Sequence, residues 1–459
     1  MIGCVCVLEI ELYFDYMDQQ PKSSPTTSEP TDKSEQMPQE PVSVHHNAAA
    51  HWSMVAAAIG IPVLVLLVVA GLFLLPEPSS DDDVEGRQQN QQNNNSGRNN
   101  DDRDDNQDVS TNPTKPQREM NLMTVADAEA RGAICNDGSP AKYYFRPGTE
   151  ADKDKWIIYF QGGGGCGSEE ACIIRAAEDD PGLMSSEQYA QTTGGGGILS
   201  ADDKNADFNT WNQVKLMYCS SDTWSGNAEQ IIAGETWYFH GKTIAEAIIA
   251  DLQNPDVIKT SNLSSATEVI VAGSSAGGGG ASHNIDDIAK ELSSAEVKGF
   301  IDSSWGYEIE NPFVASGEFE ARDRTGIGDF NNKQLDDTCV AANSDDPGVC
   351  TFLSSVYPYL ETPTFIFMNQ YDQLKLGNLG VKQPFDAAEQ SWLETEYIPG
   401  LLASYEIIED GLFSPRQTFH TMLTSERYFG TKIGNVTIQE AFTNWYFNRP
   451  GDTYLIEGI

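Results

Sequence analysis

The apolar run at 267–272 stops at Gly273-Ser274-Ser275-Ala276-Gly277, and apolar residues at helical spacing follow over 277–292. A buried strand that turns sharply into a helix fits best in a parallel sheet, where each crossover helix packs back onto the sheet it left. G-x-S-x-G at such a turn is the pattern of a nucleophile elbow. The serine at its apex, Ser275, is held exposed, and small neighbours let backbone pass close to the reacting atom. The chain contains 40 glycines, so the pentapeptide also arises by chance. It gains weight only if a base, a carboxylate and oxyanion donors can be found to serve it.

Further apolar, β-rich runs at 155–161, 213–218, 297–302 and 363–369 read as buried strands, and 235–252 and 277–292 read as helices. The expected fold class is therefore α/β: a mostly parallel sheet with helices on both faces, α/β-hydrolase-like, with its chemistry at the carboxyl ends of the strands. Six histidines are present. His45, His46 and His51 precede the globular sequence, and His283 lies two helical turns beyond Ser275 on the same helix, too far for its ring to fold back. His240 falls in a helical stretch and reads as structural. His420 remains, far downstream, where the order nucleophile, acid, histidine places it. Two strand-end carboxylates compete for the acid. Asp372 is favoured over Asp302 because it ends the later strand, and Asp302 reads equally well as a capping or turn residue. Gly162-Gly163-Gly164-Gly165 follows directly on a strand and fits an oxyanion loop, joined by the amide of Ala276; Gly194–Gly197 reads as flexible loop.

The first quarter of the chain is unlike the rest. Residues 1–52 are polar and rich in Pro, Ser, Thr and Glu, as expected of a disordered tail. Residues 54–75 carry no charge over 22 positions, which at about 1.5 Å per residue suffices to cross a bilayer core of roughly 30 Å. The span lies too far from Met1 for a cleaved signal peptide, so a single-pass signal anchor over 53–75 is expected. Residues 76–118 form a low-complexity stalk rich in Asn, Gln and Asp, leaving 119–459 as the hydrolase domain.

Six cysteines, Cys135, Cys166, Cys172, Cys219, Cys339 and Cys350, lie beyond the span, an even set suited to disulfides in a lumenal or extracellular domain. The spacings lack the paired C-x-x-C elements of a zinc site. Cys166 with Cys172 and Cys339 with Cys350 look like short closed loops, which leaves Cys135 for Cys219, one of about fifteen possible connectivities. Cys4 and Cys6, in the tail, read as reduced thiols rather than lipidation sites. Acceptor sites for N-glycosylation occur at Asn94, Asn262 and Asn435, all on the same side of the span as the six cysteines. The net charge is −41, and residues 121–459 alone hold 50 acidic against 21 basic side chains, near −29. Such a field disfavours nucleic acid as a partner and weighs mildly against a densely anionic polysaccharide.

Several stretches together resemble the pectin acetylesterase and Notum family of serine esterases. They are Gly132-Ala133-Ile134-Cys135-Asn136-Asp137-Gly138-Ser139-Pro140, Gln161 to Cys166, Tyr218-Cys219-Ser220-Ser221-Asp222-Thr223-Trp224-Ser225-Gly226, and Gly273 to Gly278. The resemblance runs from about Asn121 to Tyr446. It implies an α/β-hydrolase fold and ester hydrolysis without cofactor or metal. It further implies a triad of Ser275, Asp372 and His420, oxyanion donors at Gly163, Gly164 and Ala276, and a site-lining role for Asp302-Ser303-Ser304-Trp305. One departure stands out: where the family commonly has a tryptophan in the glycine run, this chain has Gly164 and Gly165, so acyl-chain length does not carry over. The expected function is a membrane-anchored carboxylesterase acting on an acetylated polysaccharide. The alternatives are a Notum-like deacylase of a lipid-acylated protein and a silent binding module. No motif calls for a nucleotide, flavin or metal.

Overall fold

A computed structural model of the chain describes residues 118–313 and 330–458. The expected tail at 1–52, the membrane span at 53–75, the stalk apart from Arg118, and Asn94 lie outside the described residues. Among the described residues no helix is long and apolar enough to cross a membrane.

The strands are β1 (Glu119–Thr124), β2 (Lys142–Arg146), β3 (Lys155–Phe160), β4 (Thr192–Gly194), β5 (Asn212–Leu216), β6 (Ala228–Ile232), β7 (Glu235–Phe239), β8 (Glu268–Ser274), β9 (Glu296–Asp302), β10 (Thr364–Phe367), β11 (Gly411–Ser414), β12 (Lys432–Ile433), β13 (Val436–Thr437) and β14 (Tyr454–Ile456). Ten of them form one sheet in the order β14-β11-β10-β9-β8-β3-β5-β2-β1-β4. From β14 to β5 every neighbour is parallel, and β2, β1 and β4 extend the sheet by antiparallel pairing. The principal helices are α1 (Glu169–Glu178), α2 (Gly241–Gln253), α3 (Ala276–Glu291), α4 (Gln373–Asn378) and α5 (Ile438–Tyr446).

The strands read as unbroken apolar runs because both faces of the sheet are covered. In β3, Trp156, Ile158 and Phe160 enter a core shared with Ile244 and Ile248 of α2 and Ile285 and Ile288 of α3. The alternate residues Ile157 and Tyr159 enter a second core on the opposite face with Phe300, Phe365, Phe413 and, from α5, Phe442. β3 and β8 are neighbours, and the chain leaves β3 toward the β5 side but β8 toward β9, so these two connections run to opposite edges of the sheet. In an open parallel sheet that is where a crevice forms at the carboxyl ends.

Two local expectations are corrected. The stretch 235–252 is not one helix: Glu235–Phe239 is β7, paired in a hairpin with β6, and the helix begins at Gly241. Ala233 and Gly234 both adopt positive φ, 50° and 90°, the geometry of a tight hairpin turn, and it overrides the helical spacing that follows. Gly194–Gly197 is not a loose loop. Gly194 ends β4, Ile198 N donates to Leu423 O at 2.9 Å, and a side chain on Gly197 would lie 2.0 Å from Leu423 O. The absent side chains there allow close backbone packing rather than flexibility.

Candidate active site

β8 delivers Ser275 at the carboxyl edge of the sheet, one residue before α3. Its backbone lies at φ 57°, ψ −130°, a conformation that costs about 1–3 kcal/mol and persists only where its surroundings enforce it. They do so through close packing and hydrogen bonds. A Cβ on Gly273 would fall 2.0 Å from Gly277 O, and one on Gly277 would fall 2.1 Å from Phe160 O at the end of β3. Ser275 N donates to Asp302 O at 2.8 Å, and the Ser304 hydroxyl donates to Ser275 O.

His420 sits in the segment between β11 and β12. Its Nε2 is 2.8 Å from Ser275 Oγ, and its Nδ1 is 2.7 Å from Asp372 Oδ2. A carboxylate only accepts, so Nδ1 carries the proton and Nε2 is left to accept from the serine hydroxyl. The Asp372 side chain is fully buried, while that of His420 is 20% exposed. Asp372 caps α4, its Oδ1 accepting from Leu374 N and Lys375 N at 3.0 and 3.1 Å, so one oxygen is fixed by the helix start and the other faces the imidazole. The two loops are stitched together: Gln370 N, Tyr371 N and Gln373 N donate to Pro415 O, Gln417 O and Thr418 O, and Asn369 Nδ2 donates to Phe419 O at 2.5 Å.

The structure thus brings Ser275, His420 and Asp372 together and leaves other candidates apart. His240 Nδ1 donates to Gly132 O, 2.8 Å away. His283 lies on α3 with its Nδ1 sealed and unpartnered, and burial with nearby Lys333 and Lys242 pushes it down to about 3. Asp302 is not the cap or turn carboxylate it resembles. It is fully buried at the end of β9, and burial raises its pKa above the usual carboxylate range while hydrogen bonds from Ser274, Leu423, Met422 and Ser303 work in the opposite sense.

The glycine run leaves β3 beside the elbow. Gly163 and Gly164 have φ of 154° and 67°, and a side chain on Gly163 would collide with Leu183 and Tyr218. Ala276 opens α3, so its amide has no acceptor within the helix. Behind the run stands a loop whose function composition alone does not reveal. Ser221, Thr223 and Trp224 all have positive φ. They are held around buried Asp222, which accepts from Ser220 Oγ, Trp224 N and Gly241 N at 2.7, 3.0 and 2.7 Å. The Tyr218 hydroxyl accepts from Thr223 N at 2.8 Å and donates to Gly164 O at 2.9 Å, and Trp224 Nε1 donates to Gln161 O at 2.9 Å. The dense polar run Ser220-Ser221-Asp222 in an otherwise apolar setting was the available signal.

Cys135 pairs with Cys219, Cys166 with Cys172 and Cys339 with Cys350. Asn435 is exposed in the turn between β12 and β13. Asn262 is partly exposed, and its side-chain oxygen accepts from Ser264 N at 2.8 Å.

An α/β protein that presents a serine in this way to an imidazole backed by a buried carboxylate is of the serine-hydrolase class. More particularly, the chain belongs to the pectinacetylesterase family of carboxylic ester hydrolases, whose family model matches residues 114–458. It is 29% identical over 358 residues to pectin acetylesterase 4 of Arabidopsis thaliana, covering 72% of this chain and 84% of that protein. It is 28% identical over 352 residues to the palmitoleoyl-protein carboxylesterase NOTUM of Schmidtea mediterranea, covering 74% and 65%. Among solved structures, the Wnt deacylase Notum from Drosophila superposes with a TM-score of 0.66 at 27% identity, over 74% of this chain and 97% of that one.

Proposed function

We propose that this chain is a membrane-anchored serine carboxylesterase that removes acetyl groups from an extracellular or cell-wall polysaccharide through an acyl-enzyme on Ser275. The observation that carries the reading is the continuous hydrogen-bonded run from Ser275 Oγ through His420 to Asp372, at 2.8 and 2.7 Å. His420 Nε2 takes the serine proton as Oγ attacks the ester carbonyl, and Asp372 holds the ring and stabilises the imidazolium that forms. The amides of Gly163, Gly164 and Ala276 donate to the oxyanion. His420 then returns the proton to the departing alcohol, and water, deprotonated in turn by His420, releases the carboxylic acid and restores Ser275. Three disulfides support a lumenal or extracellular catalytic domain, with the anchor over 53–75 and the sequons at Asn94, Asn262 and Asn435 as candidate glycosylation sites.

A second reading, deacylation of a lipid-acylated protein, is favoured by the Notum relatives and by Gly164 and Gly165, which are both exposed and carry no side chain to wall off a longer acyl group. One experiment separates these readings. The full-length chain is expressed, membranes are washed with carbonate, and the pellet is assayed with p-nitrophenyl esters from acetyl to long-chain. The expected result is turnover in the washed pellet, greatest for acetyl, and none for Ser275→Ala. Preference for long chains selects the second reading. Undiminished turnover in S275A refutes the nucleophile, and activity only in the wash refutes the anchor.

A further inference from the structure

Three consecutive amides directly follow His420 in the chain, and one pair of side chains holds all three. Thr421 N donates to Ser303 Oγ at 3.2 Å, and Met422 N and Leu423 N each donate to Asp302 Oδ2 at 3.0 Å. The same Oδ2 accepts the hydroxyl of Ser274, the residue immediately before the nucleophile, at 2.6 Å. Ser303 Oγ donates to Oδ1 at 2.8 Å. A single buried carboxylate therefore touches the polypeptide on both sides of the reacting pair. We propose that Asp302 is a positioning residue: by tying Ser274 to the loop that carries His420, it sets the separation between the Ser275 hydroxyl and the imidazole.

The need for such a tie follows from where the two residues sit. Ser275 is anchored by β8 and α3, whereas His420 lies in irregular chain between β11 at Ser414 and a helical turn beginning at Arg427. Thr421 and Ser303 both hold positive φ, 59° and 58°, conformations that β-branched and polar residues keep only under external constraint. A buried carboxylate without donors would be costly, and here four donors satisfy it. Misplacing a base by an ångström costs on the order of a hundredfold in rate, so a link of this kind acts on turnover more than on substrate binding.

The proposal rests on Ser275 and His420 being nucleophile and base, and its test is built to fail separately. Kinetics with a short ester are measured for the full-length protein and for Asp302→Ala, Asp302→Asn, Ser274→Ala, Ser275→Ala and Ile248→Ala. Ile248 is a buried residue of α2 in the core and serves as a control for stability loss alone. Asp302→Ala is expected to lower kcat about a hundredfold with KM within about threefold. Asp302→Asn should recover to within about tenfold of wild type, because its carbonyl can take both loop amides while Ser303 turns to accept from its NH2. Ser274→Ala, which cuts only the elbow end and keeps the carboxylate satisfied, should lower kcat about tenfold and carries the test if Asp302→Ala does not fold. Wild-type kcat in either alanine variant, an Asn variant as slow as the Ala variant, or an equal kcat loss in Ile248→Ala at matched stability overturns the positioning role. Undiminished turnover in Ser275→Ala would instead refute the nucleophile.

Discussion

At the scale of the residue, the groups that govern this site are buried polar side chains whose partners come from distant parts of the chain. Asp302 ends β9, whereas Asp372 lies beyond the end of the neighbouring strand β10, as the cap of α4; both are fully buried, and what separates them is the set of donors each meets. His283 has no such set. Its Nδ1 is sealed without a partner, and Lys333 and Lys242 add repulsion to the cost of burying a charge. Its pKa falls from an ordinary 6.5 to about 3, so the folded state binds this proton less readily than the unfolded chain. The stabilisation from keeping His283 neutral is complete above pH 6.5 and is lost as the pH falls toward 3. Urea unfolding should show the wild type losing up to about 2 kcal/mol more than His283→Gln between pH 7 and 5. Parallel slopes for the two proteins would show that the ring is not held neutral.

At the scale of the element, the elbow was legible because its chemistry is local. A strand that ends in small residues and continues as a helix fits one sharp turn, and glycine is required wherever another backbone occupies the position of a Cβ. Gly277→Ala would place a methyl 2.1 Å from Phe160 O and 2.6 Å from the Gln161 carbonyl carbon, atoms of the strand end rather than a yielding side chain. The helix must shift, with an expected loss of about 1–3 kcal/mol and a fall in kcat of at least about tenfold, read by thermal unfolding and turnover of a short ester. A variant of unchanged stability and rate would mean that α3 moves away from β3 at little cost. The hairpin of β6 and β7 was less legible. Trp237, Tyr238 and Phe239 suit a strand, but their spacing also continues the helical pattern of α2, and only the left-handed turn at Ala233-Gly234 decides between them.

At the scale of the whole molecule, the disulfides differ in how much chain they close. Cys135–Cys219 spans 84 residues and Cys166–Cys172 only 6. In the chain-entropy account these loops stabilise by about 4.6 and about 2.2 kcal/mol, respectively. Removing the first pair by double alanine substitution should therefore lower urea stability by about 2 kcal/mol more than removing the second, and equal losses would argue against that account. The sequence alone determined the sheet-and-helix class, the serine at its turn, the glycines beside it and, by elimination among six histidines, His420. These depend on spacing and residue chemistry within short windows. Tertiary structure alone decided which carboxylate meets the imidazole, why Asp302 faces the chain on both sides of the reacting pair, and how Asp222 braces the glycine run. Those contacts join residues 19 to 121 positions apart. Strand order and loop register set them, and no local pattern encodes either.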